Sequence, residues 1–585
     1  MECAGTGAVK SEKVNPRRDP RPAFGAAPCD PATTEHLASA PVTQESFAQA
    51  WSTVADLAPE RLAIVCGERR LTFGDFERRA RALAHALHAD GLRPGDKVAI
   101  ELVNSPEYLE TFFAAQLLGC VPVNVNYRYV EDELAYLLDN SDAAAIVYHD
   151  EFASTVAHAI TARATRSPIA RYEVRHAGDP GGGVCDPEVR DYAAVVATDA
   201  PASWEPPHAP GGDDLVFIYT GGTTGAPKAV MWRSGDLALA LWQMARPGSE
   251  PPPARVTIER GRSAATVLPA CPLMHGTGLF IALSTLSGGG TVVLIDTPRL
   301  DATAVWDAVE RESVRVLTIV GDAFARPLLQ ALEQEPERWN LRGLSAITSS
   351  GVTWSPETKR GLLEHLPGIT LIDSLGASEG LMTRNEARSA AEVRPAGFAA
   401  SDRLVVVADD GTLCRPGDDR VGMLGVGGPI PLGYFKDPEK TAATFREVGG
   451  RRYSIPGDYA RIEPDGIVTL LGRGSACINT GGEKVYPEEV ELVLRSHPSV
   501  FDCVVVGVPD DRWGEMIVAL VQPSDDARSH GTFDDDALAA HCRARIAAYK
   551  CPKRFVALDS LERSPAGKAD YTRLRRRAAE ALTAS

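Results

Sequence analysis

Short apolar runs alternate with helical segments along much of this chain, and that alternation limits the fold more than any other feature. Between residues 104 and 147, apolar runs and helical patterns follow one another. The same order returns later, where SVRVLTIV has the composition of a strand, ARPLLQALEQ of a helix, and SAITSSG and ITLIDSLG of strands. It extends over more than about 200 residues, too long for a single dinucleotide-binding unit. We therefore predict an α/β fold with parallel-rich sheets and helices packed on them.

A second type of structure is predicted after residue 472. The stretch GRGSACINTGGEKVYPEEVE is followed by helix and strand patterns that suit a compact α+β unit. At 585 residues, the chain is also too long for one ordinary core. We predict a disordered extension over residues 1–45, a large domain over 46–472, a hinge at 473–475 and a small, mobile domain over 476–585.

The composition argues against several classes of protein. A formal net charge of −17 disfavours nucleic acid as a partner, because nucleic-acid-binding surfaces are basic. The 11 cysteines are dispersed without a CxxC pair, which favours reduced thiols in a cytoplasmic protein. The N-terminus lacks a secretory h-region, and the most apolar stretch, residues 279–295, is interrupted by three glycines. We predict a soluble protein without an integral membrane segment, and two buried elements around a turn in that stretch.

The stretch YTGGTTGAPKAV, residues 219–230, is typical of a loop that holds phosphate, and it follows the strand-like run DLVFI. Glycine lets backbone N–H groups approach a ligand, threonine hydroxyls donate hydrogen bonds, and lysine adds a positive charge. A strand that leads into a glycine-rich loop suits an anion. The loop is not a Walker motif, which needs Gly-Lys-Ser/Thr at a helix start, because Pro227 precedes Lys228 and removes one N–H donor.

Three further positions in the large domain suit a nucleotide site, although each also has an ordinary explanation. His275 in ACPLMHGTG lies among apolar residues and glycines, where a lone histidine is most often a packed core residue. Glu379 in DSLGASEG ends a strand, where a carboxylate either holds Mg²⁺ beside a ligand or is a solvated turn residue. Asp458 follows a Pro-Gly turn, where an aspartate either caps the turn or accepts ribose hydroxyls.

Two motifs belong to the second unit. The glycine pair in TGGEK, Gly481 and Gly482, either shapes a turn or lets a ligand pass close to the backbone. In SPAGKADYTRLRRR, Lys568 lies on a glycine-bearing loop, whereas residues 575–577 belong to a solvated helix face. Each motif is a weak signal by itself, but their order along one chain is specific.

In that order, the motifs resemble those of the acyl-adenylate-forming superfamily, which includes acyl-CoA synthetases, adenylation domains of peptide synthetases and beetle luciferases. TGGTTGAPK resembles the superfamily's phosphate loop, and SLGASE resembles its adenine, α-phosphate and magnesium region. GD at 457–458 resembles its ribose-binding element, GRGSACINTGGEKVYPEEVE its hinge and thioester motif, and SPAGK its catalytic-lysine motif. The resemblance covers residues from about 45 to 580.

A narrower resemblance concerns the substrate. The stretches VNVNYRYVEDELAYLLDNSDAA, MWR, GDAFARPLL and CINTGGEKV are similar to those of actinobacterial acyl-CoA synthetases for fatty acids and steroid side chains. Related enzymes activate polycyclic terpenoid acids. Four positions depart from the superfamily's usual pattern: Gly221 replaces serine, Leu375 tyrosine, Ala229 glycine, and Ser475 aspartate or lysine. None removes a charge that the reaction needs, so activity is expected despite them.

The resemblance implies an ATP-dependent acid–CoA ligase that uses Mg²⁺ and coenzyme A. A carboxylate attacks the α-phosphate of ATP to give acyl-AMP and pyrophosphate, and the CoA thiol then displaces AMP. The implied roles are a catalytic cation for Lys568, a Mg²⁺ ligand for Glu379 and a gate to the acyl pocket for His275. Between the two steps, the small domain is expected to rotate about residues 473–475.

The resemblance also assigns binding roles to the matching positions. ATP and AMP are expected to contact Thr220, Gly221, Gly222, Thr223, Thr224, Gly225, Lys228, Gly351, Ser374, Leu375, Gly376, Ala377, Ser378, Asp458 and Arg473. Gly481 and Gly482 are expected to line the pantetheine path. The expected acyl pocket contains Trp242, Gly276, Thr277, Gly278, Asp322, Phe324 and Val352. These walls suit either a long chain or a polycyclic acid, and the choice stays open.

Other functions are weighed against this one. The main alternative is an acyl-AMP ligase that delivers the acyl group to a carrier protein. A luciferase-like monooxygenase has no supporting motif, and a nucleotide sensor would not need Lys568, Glu379 and Asp458 together. Amino-acid activation is disfavoured because PLMHGTG offers no aspartate near His275 for the substrate amine. The sequence leaves the oligomeric state open between a monomer and a homodimer.

Overall fold

The computed structural model describes residues 44–583 except for 166–167, 176–185, 221–226, 262–263, 298, 353, 394–396, 419, 474–477, 481–482, 511–513, 531–532, 547 and 565–566. Several sequence predictions concern residues outside this set. They are nearly all of the N-terminal extension, Gly221, Gly222, Thr223, Thr224 and Gly225 of the phosphate loop, positions 474 and 475 of the hinge, and the pair Gly481 and Gly482.

The α/β part of the fold occupies residues 47–387. Its first elements are α1 Phe47–Leu57, β1 Leu62–Cys66, β2 Arg69–Thr72, α2 Phe73–Ala89, β3 Lys97–Glu101, α3 Pro106–Leu117, β4 Val121–Asn124, α4 Glu131–Ser141, β5 Ala143–His149, α5 Ala153–Ala162, β6 Ala170–Val174, β7 Val189–Asp191, α6 Tyr192–Ala197, β8 Leu215–Thr220 and β9 Lys228–Arg233. They are followed by α7 Ser234–Ala245, α8 Ala254–Glu259, β10 Val267–Pro269, α9 Gly276–Ser287, β11 Val292–Leu294, α10 Ala302–Arg311, β12 Val316–Ile319, α11 Gly321–Gln334, β13 Ala346–Ser350, α12 Pro356–His365, β14 Thr370–Ala377 and β15 Gly380–Ala387.

A mainly antiparallel part follows. It contains β16 Gly397–Ala399, β17 Leu404–Val407, β18 Gly422–Gly427, β19 Gly433–Tyr434, α13 Pro438–Thr444, β20 Phe445–Val448, β21 Arg451–Ser454, β22 Asp458–Ile462 and β23 Ile467–Arg473. The small domain contains β24 Ile478–Thr480, β25 Glu483–Val485, α14 Pro487–Arg495, β26 Val500–Asp510, β27 Gly514–Pro523, α15 Asp525–His530, α16 Asp535–Arg543, β28 Arg554–Ala557 and α17 Tyr571–Thr583. Among the described residues, no helix is long and apolar enough to span a membrane.

Two eight-stranded sheets form the centre of the large domain. One has the order β15-β14-β13-β12-β10-β11-β1-β2, and the other has the order β19-β9-β8-β4-β3-β5-β6-β7. Their central strands are parallel, as from β10 to β14 and from β8 to β7, and antiparallel pairs occur at the edges. The prediction of a parallel-rich α/β large domain with a small C-terminal domain is confirmed.

Helix α3 lies between the two sheets, because it contacts β3 and β4 of one sheet and β1 of the other. All of its residues are buried, which explains why it is apolar on nearly every side. Its two buried glutamates, Glu107 and Glu110, are paired with arginines: Arg69 Nη2 lies 2.5 Å from Glu107, and Arg79 Nε lies 2.7 Å from Glu110. A buried carboxylate needs such a partner, so these pairs keep the central layer intact.

Two smaller sheets complete the chain. The first has seven strands, with β17 joined to the path β16-β23-β22-β18-β21-β20, and all its pairings are antiparallel. The second belongs to the small domain and has five strands in the order β25-β24-β27-β26, with β28 paired to β27. One apolar cluster of the small domain joins α14 and α16 to β26 and β27, and another joins α17 to the same two strands.

Several local predictions are confirmed. The apolar stretch 279–295 forms most of α9 and then β11, two buried elements separated by a turn. Ser355 caps α12, where its side chain accepts a hydrogen bond from the backbone N–H of Thr358, and Pro356 takes the first helical position. The strand-like DLVFI run becomes β8, directly before the glycine-rich loop.

Glu101 at the end of β3 predicts a dependence of stability on pH. It is fully buried, neither carboxyl oxygen has a hydrogen-bond partner among the described residues, and burial raises its pKa to about 8. The folded state therefore keeps Glu101 protonated at pH values where the unfolded chain has ionised it. This contribution to stability is complete below the unfolded pKa, near 4.5. It is lost as pH rises through the folded value, at about 1.4 kcal/mol per pH unit.

We expect Glu101→Gln, which is neutral at every pH, to remove this dependence. Thermal unfolding midpoints of the variant and the wild type, measured from pH 5 to pH 9, would diverge as pH rises, with the variant increasingly the more stable. Parallel curves for the two proteins would show that Glu101 is ionised, or solvated, in the folded state.

Candidate active site

The hairpin β8–β9 positions the ends of the predicted phosphate loop. Thr220 and Lys228 face each other as the last residue pair of the two antiparallel strands. The Lys228 ammonium forms an ion pair with Asp437, whose other oxygen accepts a hydrogen bond of 2.9 Å from the N–H of Lys440 at the start of α13. The hydrogen bond from Lys228 lowers the pKa of Asp437. The Lys228 ammonium is therefore held at the residue pair where the two strands end.

Asn124 joins the loop end of this hairpin to the segment that carries His275. It is 6% exposed and lies at the end of β4. Its side-chain carbonyl accepts a hydrogen bond of 2.6 Å from the N–H of Tyr219. Its amide donates 3.2 Å and 2.7 Å hydrogen bonds to the backbone carbonyls of Tyr219 and Met274. One buried side chain thus fixes the distance between two predicted site segments.

Asn104 fixes the same segment from the other side. Its side-chain carbonyl accepts a 2.7 Å hydrogen bond from the N–H of Leu273, and its amide donates a 3.1 Å hydrogen bond to the carbonyl of Cys271. The chain then turns sharply into α9, and a Cβ at Gly278 would lie 2.6 Å from the carbonyl oxygen of Pro272. Only glycine allows that approach.

His275 is the residue before α9, and its surroundings keep it uncharged. Burial lowers its pKa to about 4, and the positive charges of Lys568 and Arg128 lower it in the same direction. At neutral pH the imidazole is therefore neutral. The charge of Lys568, which belongs to the small domain, thus acts on a residue of the large domain.

The lysine loop of the small domain packs against the ends of α11 and β12 in the large domain. A Cβ at Gly567, whose φ is +69°, would lie 3.1 Å from Cβ of Ala323 and 3.2 Å from Cγ2 of Val352. A Cβ at Gly351, whose φ is +90°, would lie 3.6 Å from Oγ1 of Thr277. Five predicted positions, namely His275, Thr277, Gly351, Val352 and Lys568, thus lie around one place.

Glu379 lies in the turn between β14 and β15 and is held from a third direction. It is 9% exposed, and the hydroxyl of Tyr434 donates a 2.8 Å hydrogen bond to its Oε1. The neighbouring carbonyl of Ser378 accepts a 2.8 Å hydrogen bond from the indole N–H of Trp232 on β9. Because β9 also carries Lys228 and pairs with β19, the carboxylate and the cation are fixed by the same strands.

The predicted adenine-binding residues form the last half of β14. Ser374 pairs with Ser350 on β13 and with Arg384 on β15 and is buried, while Leu375, Gly376 and Ala377 remain half-buried at the C-terminal end of the strand. This is the edge of a parallel sheet where ligands bind in α/β proteins.

The predicted ribose element lies on the antiparallel sheet. Gly457 has a φ of +103°, so it turns the chain into β22, and Asp458 is the first residue of that strand. Asp458 pairs with Arg473, the last residue of β23. Gly472 has a φ of +116°, and a Cβ there would clash with the carboxylate of Glu488 in α14. The chain therefore enters the predicted hinge through a position that requires glycine.

The remaining residues predicted to form the acyl pocket have differing surroundings. Asp322 is occupied by other contacts: it accepts a 3.0 Å hydrogen bond from the N–H of Ser355 and lies 3.2 Å from Nε of Arg326. Phe324 is buried in the core of its sheet. Trp242 donates a hydrogen bond to Ser249 and lies 4.0 Å below the guanidinium of Arg246. A Cβ at Gly276 would lie 3.0 Å from the ring of Phe280.

Five residues at this site were missed in the sequence analysis: Asn104, Asn124, Arg128, Tyr434 and Asp437. The two asparagines had a readable signal, because each lies at or just after the end of a parallel strand. Tyr434 and Asp437 had none, since their partners are distant in sequence. Among the described residues, no cluster of three or more histidine, cysteine, aspartate or glutamate side chains could hold a metal ion.

Two protein-family models match this chain, one in the large domain and one in the small domain. The family model for AMP-binding enzymes matches residues 51–435, and the model for the AMP-binding enzyme C-terminal domain matches residues 489–568. A 3-oxocholest-4-en-26-oate–CoA ligase of Rhodococcus rhodochrous is 39% identical over 544 residues, covering 88% of this chain and 93% of that protein. A medium/long-chain-fatty-acid–CoA/3-oxocholest-4-en-26-oate–CoA ligase of Mycobacterium tuberculosis (strain ATCC 25618 / H37Rv) is 38% identical over 536 residues, with the same two coverages.

A solved structure has the same fold. The anthranilate CoA ligase AuaEII in complex with anthranoyl-AMP superposes with a TM-score of 0.77 at 21% identity, covering 93% of this chain and 99% of the other. At that identity, the likeness concerns the fold alone.

Proposed function

The chain belongs to the AMP-binding enzyme family, and on that premise we propose that it is an ATP-dependent acid–CoA ligase for hydrophobic carboxylic acids. In the first step, a carboxylate oxygen of the acid attacks the α-phosphorus of ATP, and pyrophosphate leaves. In the second, the sulfur of CoA attacks the acyl carbon, its proton is lost, and AMP leaves. Adenylation is needed because oxide is a very poor leaving group, whereas a phosphate monoester is a good one.

The observation that carries this proposal is the position of Lys568. The lysine loop packs against Ala323 and Val352, and the charge of Lys568 acts on His275 across the same space. In this arrangement, a cation from the small domain faces the ends of the strands where the nucleotide and acid would meet. Negative charge develops on the α-phosphate during the first step, and a positioned cation stabilises it. A neutral His275 leaves the entrance of the acyl pocket without a competing charge.

Lys228 and Thr220 would hold the outer phosphates together with the loop between them, and Asp458 would accept the ribose hydroxyls. Lys228 is half-exposed and paired with Asp437, so exchanging that carboxylate for a phosphate requires only a local movement. Ser374, Leu375, Gly376 and Ala377 would border the adenine. Leu375, in place of a tyrosine, offers an aliphatic surface for that ring.

Glu379 fits Mg²⁺ that arrives with ATP. Mg²⁺ in phosphate-transfer sites is usually held by one or two carboxylates together with substrate phosphates and water. A single buried carboxylate, with one oxygen fixed by Tyr434, meets that requirement. When bound there, the metal would neutralise charge on the phosphates; the chain itself supplies the oriented carboxylate.

The second step requires the CoA thiol to reach the acyl carbon that Lys568 faces. We propose that the small domain rotates about residues 473–475 and that Gly481 and Gly482 then line the pantetheine path. Among the described residues of the lysine loop, Gly567 meets the large domain at small side chains such as Ala323 and Val352. Such a contact can be broken without exposing a large apolar surface.

The acid is proposed to be a steroid-derived, terpenoid-derived or long-chain fatty acid. The support is similarity to ligases whose names specify 3-oxocholest-4-en-26-oate and medium- or long-chain fatty acids. Thr277 and Gly351 lie close together and Val352 follows Gly351, so the side chains at these positions are small, which suits a bulky acid.

The proposal is tested by one incubation followed by mass spectrometry. Wild-type protein, ATP, Mg²⁺ and CoA are mixed with fatty, aromatic, steroid and diterpenoid acids, and AMP, acyl-AMP and acyl-CoA are detected. We expect acyl-CoA from a steroid, diterpenoid or long-chain acid and from no short aromatic acid. Acyl-AMP without thioester would favour the carrier-protein alternative. No AMP with any of these acids would contradict the proposal.

A further inference from the structure

Ser564, at the start of the loop that carries Lys568, is hydrogen-bonded to Gly567 and Lys568 at its end. The N–H of Ser564 donates a 2.8 Å hydrogen bond to the carbonyl of Lys568, and the N–H of Lys568 donates a 3.1 Å hydrogen bond to the hydroxyl of Ser564. The N–H of Gly567 donates a third, of 2.8 Å, to the carbonyl of Ser564. These bonds fix Gly567 and Lys568 relative to Ser564, but not relative to the rest of the small domain.

Arg563 attaches this loop to the small-domain sheet. Its Nη1 donates a 3.1 Å hydrogen bond to the carbonyl of Gly567, the residue before Lys568. On its other side, Nε and Nη2 lie 2.5 Å and 3.0 Å from the two oxygens of Asp502 in β26, and Nη2 also reaches the carbonyl of Cys503 at 3.3 Å. The planar guanidinium therefore connects strand and loop in one fixed geometry.

Asp502 is itself held from two further sides, so the anchor is rigid. Its Oδ1 accepts a 2.8 Å hydrogen bond from the N–H of Cys503 and lies 3.4 Å from Nε of Arg495. Arg495 is bound to Glu491 at 2.7 Å. Although burial opposes it, the hydrogen bond from Arg563 lowers the pKa of Asp502, so this carboxylate is ionised.

The anchor also lies at the contact with the large domain. Phe501, the residue before Asp502, has its ring 5.6 Å from the guanidinium carbon of Arg326 in α11. Helix α11 also contains Ala323, the residue nearest to Gly567 across the contact. The strand that holds Arg563 and the loop that Arg563 holds therefore face the same helix.

We propose that Arg563 is a positioning residue that sets the direction of the Lys568 loop during adenylation. This inference rests on the proposed function, in which Lys568 acts in the first step and is away from the acyl carbon in the second. Loss of the guanidinium would leave the Lys568 ammonium present, but the loop that carries it could then move. Displacement of a catalytic group by about 1 Å can cost about 10²-fold in rate.

The test compares the two half-reactions. Acyl-AMP formation is followed as pyrophosphate release, and the second step as thioester formation from prepared acyl-AMP and CoA. For Arg563→Met we expect the kcat of adenylation to fall about 10- to 100-fold, with the KM for ATP changed less than about threefold. The thioester step should stay within about twofold of wild type. Arg563→Lys, which keeps the charge but cannot make both contacts, should be intermediate.

Arg575→Met is the matched control. Arg575 is likewise a small-domain arginine in an ion pair with a carboxylate, Glu515 at 2.5 Å, and among the described residues it makes no hydrogen bond to residues 564, 567 or 568. It should match the wild type in both half-reactions. Asp502→Asn provides a second route to the same defect if Arg563→Met does not fold, and should lower adenylation selectively.

Equal losses in both half-reactions, or no loss in Arg563→Met, would overturn the inference. Failure of the proposed function looks different, because the wild type itself would then form no acyl-AMP.

Discussion

Replacing Lys568 with alanine is expected to lower acyl-AMP formation by about 10²- to 10³-fold, while thioester formation from prepared acyl-AMP is retained. The reason is the developing charge of the first step. The charge of Lys568 acts on the partly buried, neutral His275, and its loop packs against Val352 of the large domain. Among the described residues, it is the small-domain cation for which the structure gives an interaction with His275.

The measurement is pyrophosphate release with saturating acid, alongside thioester formation from acyl-AMP and CoA. Lys550→Ala is the matched control, because Lys550 is a small-domain lysine that pairs with Glu489 at 2.6 Å rather than with the large domain. The control should retain both activities. If Lys568→Ala also lost the second activity, Lys568 would be acting on folding or on acyl-AMP binding. Normal adenylation by this variant would remove it from the first step altogether.

Much of the fold could be predicted because it depends on local signals. The capping chemistry at Ser355 and the glycine break after α9 each specify an element boundary within a few residues. The order of strands could not be predicted. Strand β1 pairs with β11, more than two hundred residues later, and β19 joins β9 from a similar distance. Nothing in either short strand indicates its partner, because pairing depends on how the layers pack.

The candidate site likewise contains residues that the sequence indicates and residues that only the fold reveals. The glycine-rich loop, Glu379, Asp458 and Lys568 could be proposed as site residues because their motifs follow one another along the chain in a specific order. The residues that orient them could not. Tyr434 and Arg563 have ordinary neighbours in sequence, and their importance comes from partners that the fold brings close, Glu379 in one case and Asp502 in the other. Sequence motifs thus indicate the proposed reacting groups, while side-chain contacts between distant parts of the chain hold the residues that orient them.

Replacing Glu379 with glutamine is expected to lower adenylation by about 10²-fold at millimolar Mg²⁺ and to raise the Mg²⁺ concentration needed for half-maximal rate. The amide keeps the size of the side chain and can still accept the 2.8 Å hydrogen bond from Tyr434, so the turn between β14 and β15 should be preserved. What is lost is the negative charge that a hard divalent cation requires. Pyrophosphate release measured across a Mg²⁺ series, with ATP held constant, separates the two effects.

Two further variants make the Glu379 experiment specific. Glu386→Gln changes a glutamate on β15 that is engaged with Arg384 at 2.7 Å, and it should keep the wild-type Mg²⁺ dependence. Tyr434→Phe leaves the charge of Glu379 but removes the donor that orients Oε1, so we expect a smaller loss of about three- to tenfold. That ranking follows from a carboxylate that binds the metal directly and a tyrosine that only orients it. A Glu379→Gln enzyme with unchanged Mg²⁺ dependence would assign the buried carboxylate to the stability of the turn instead.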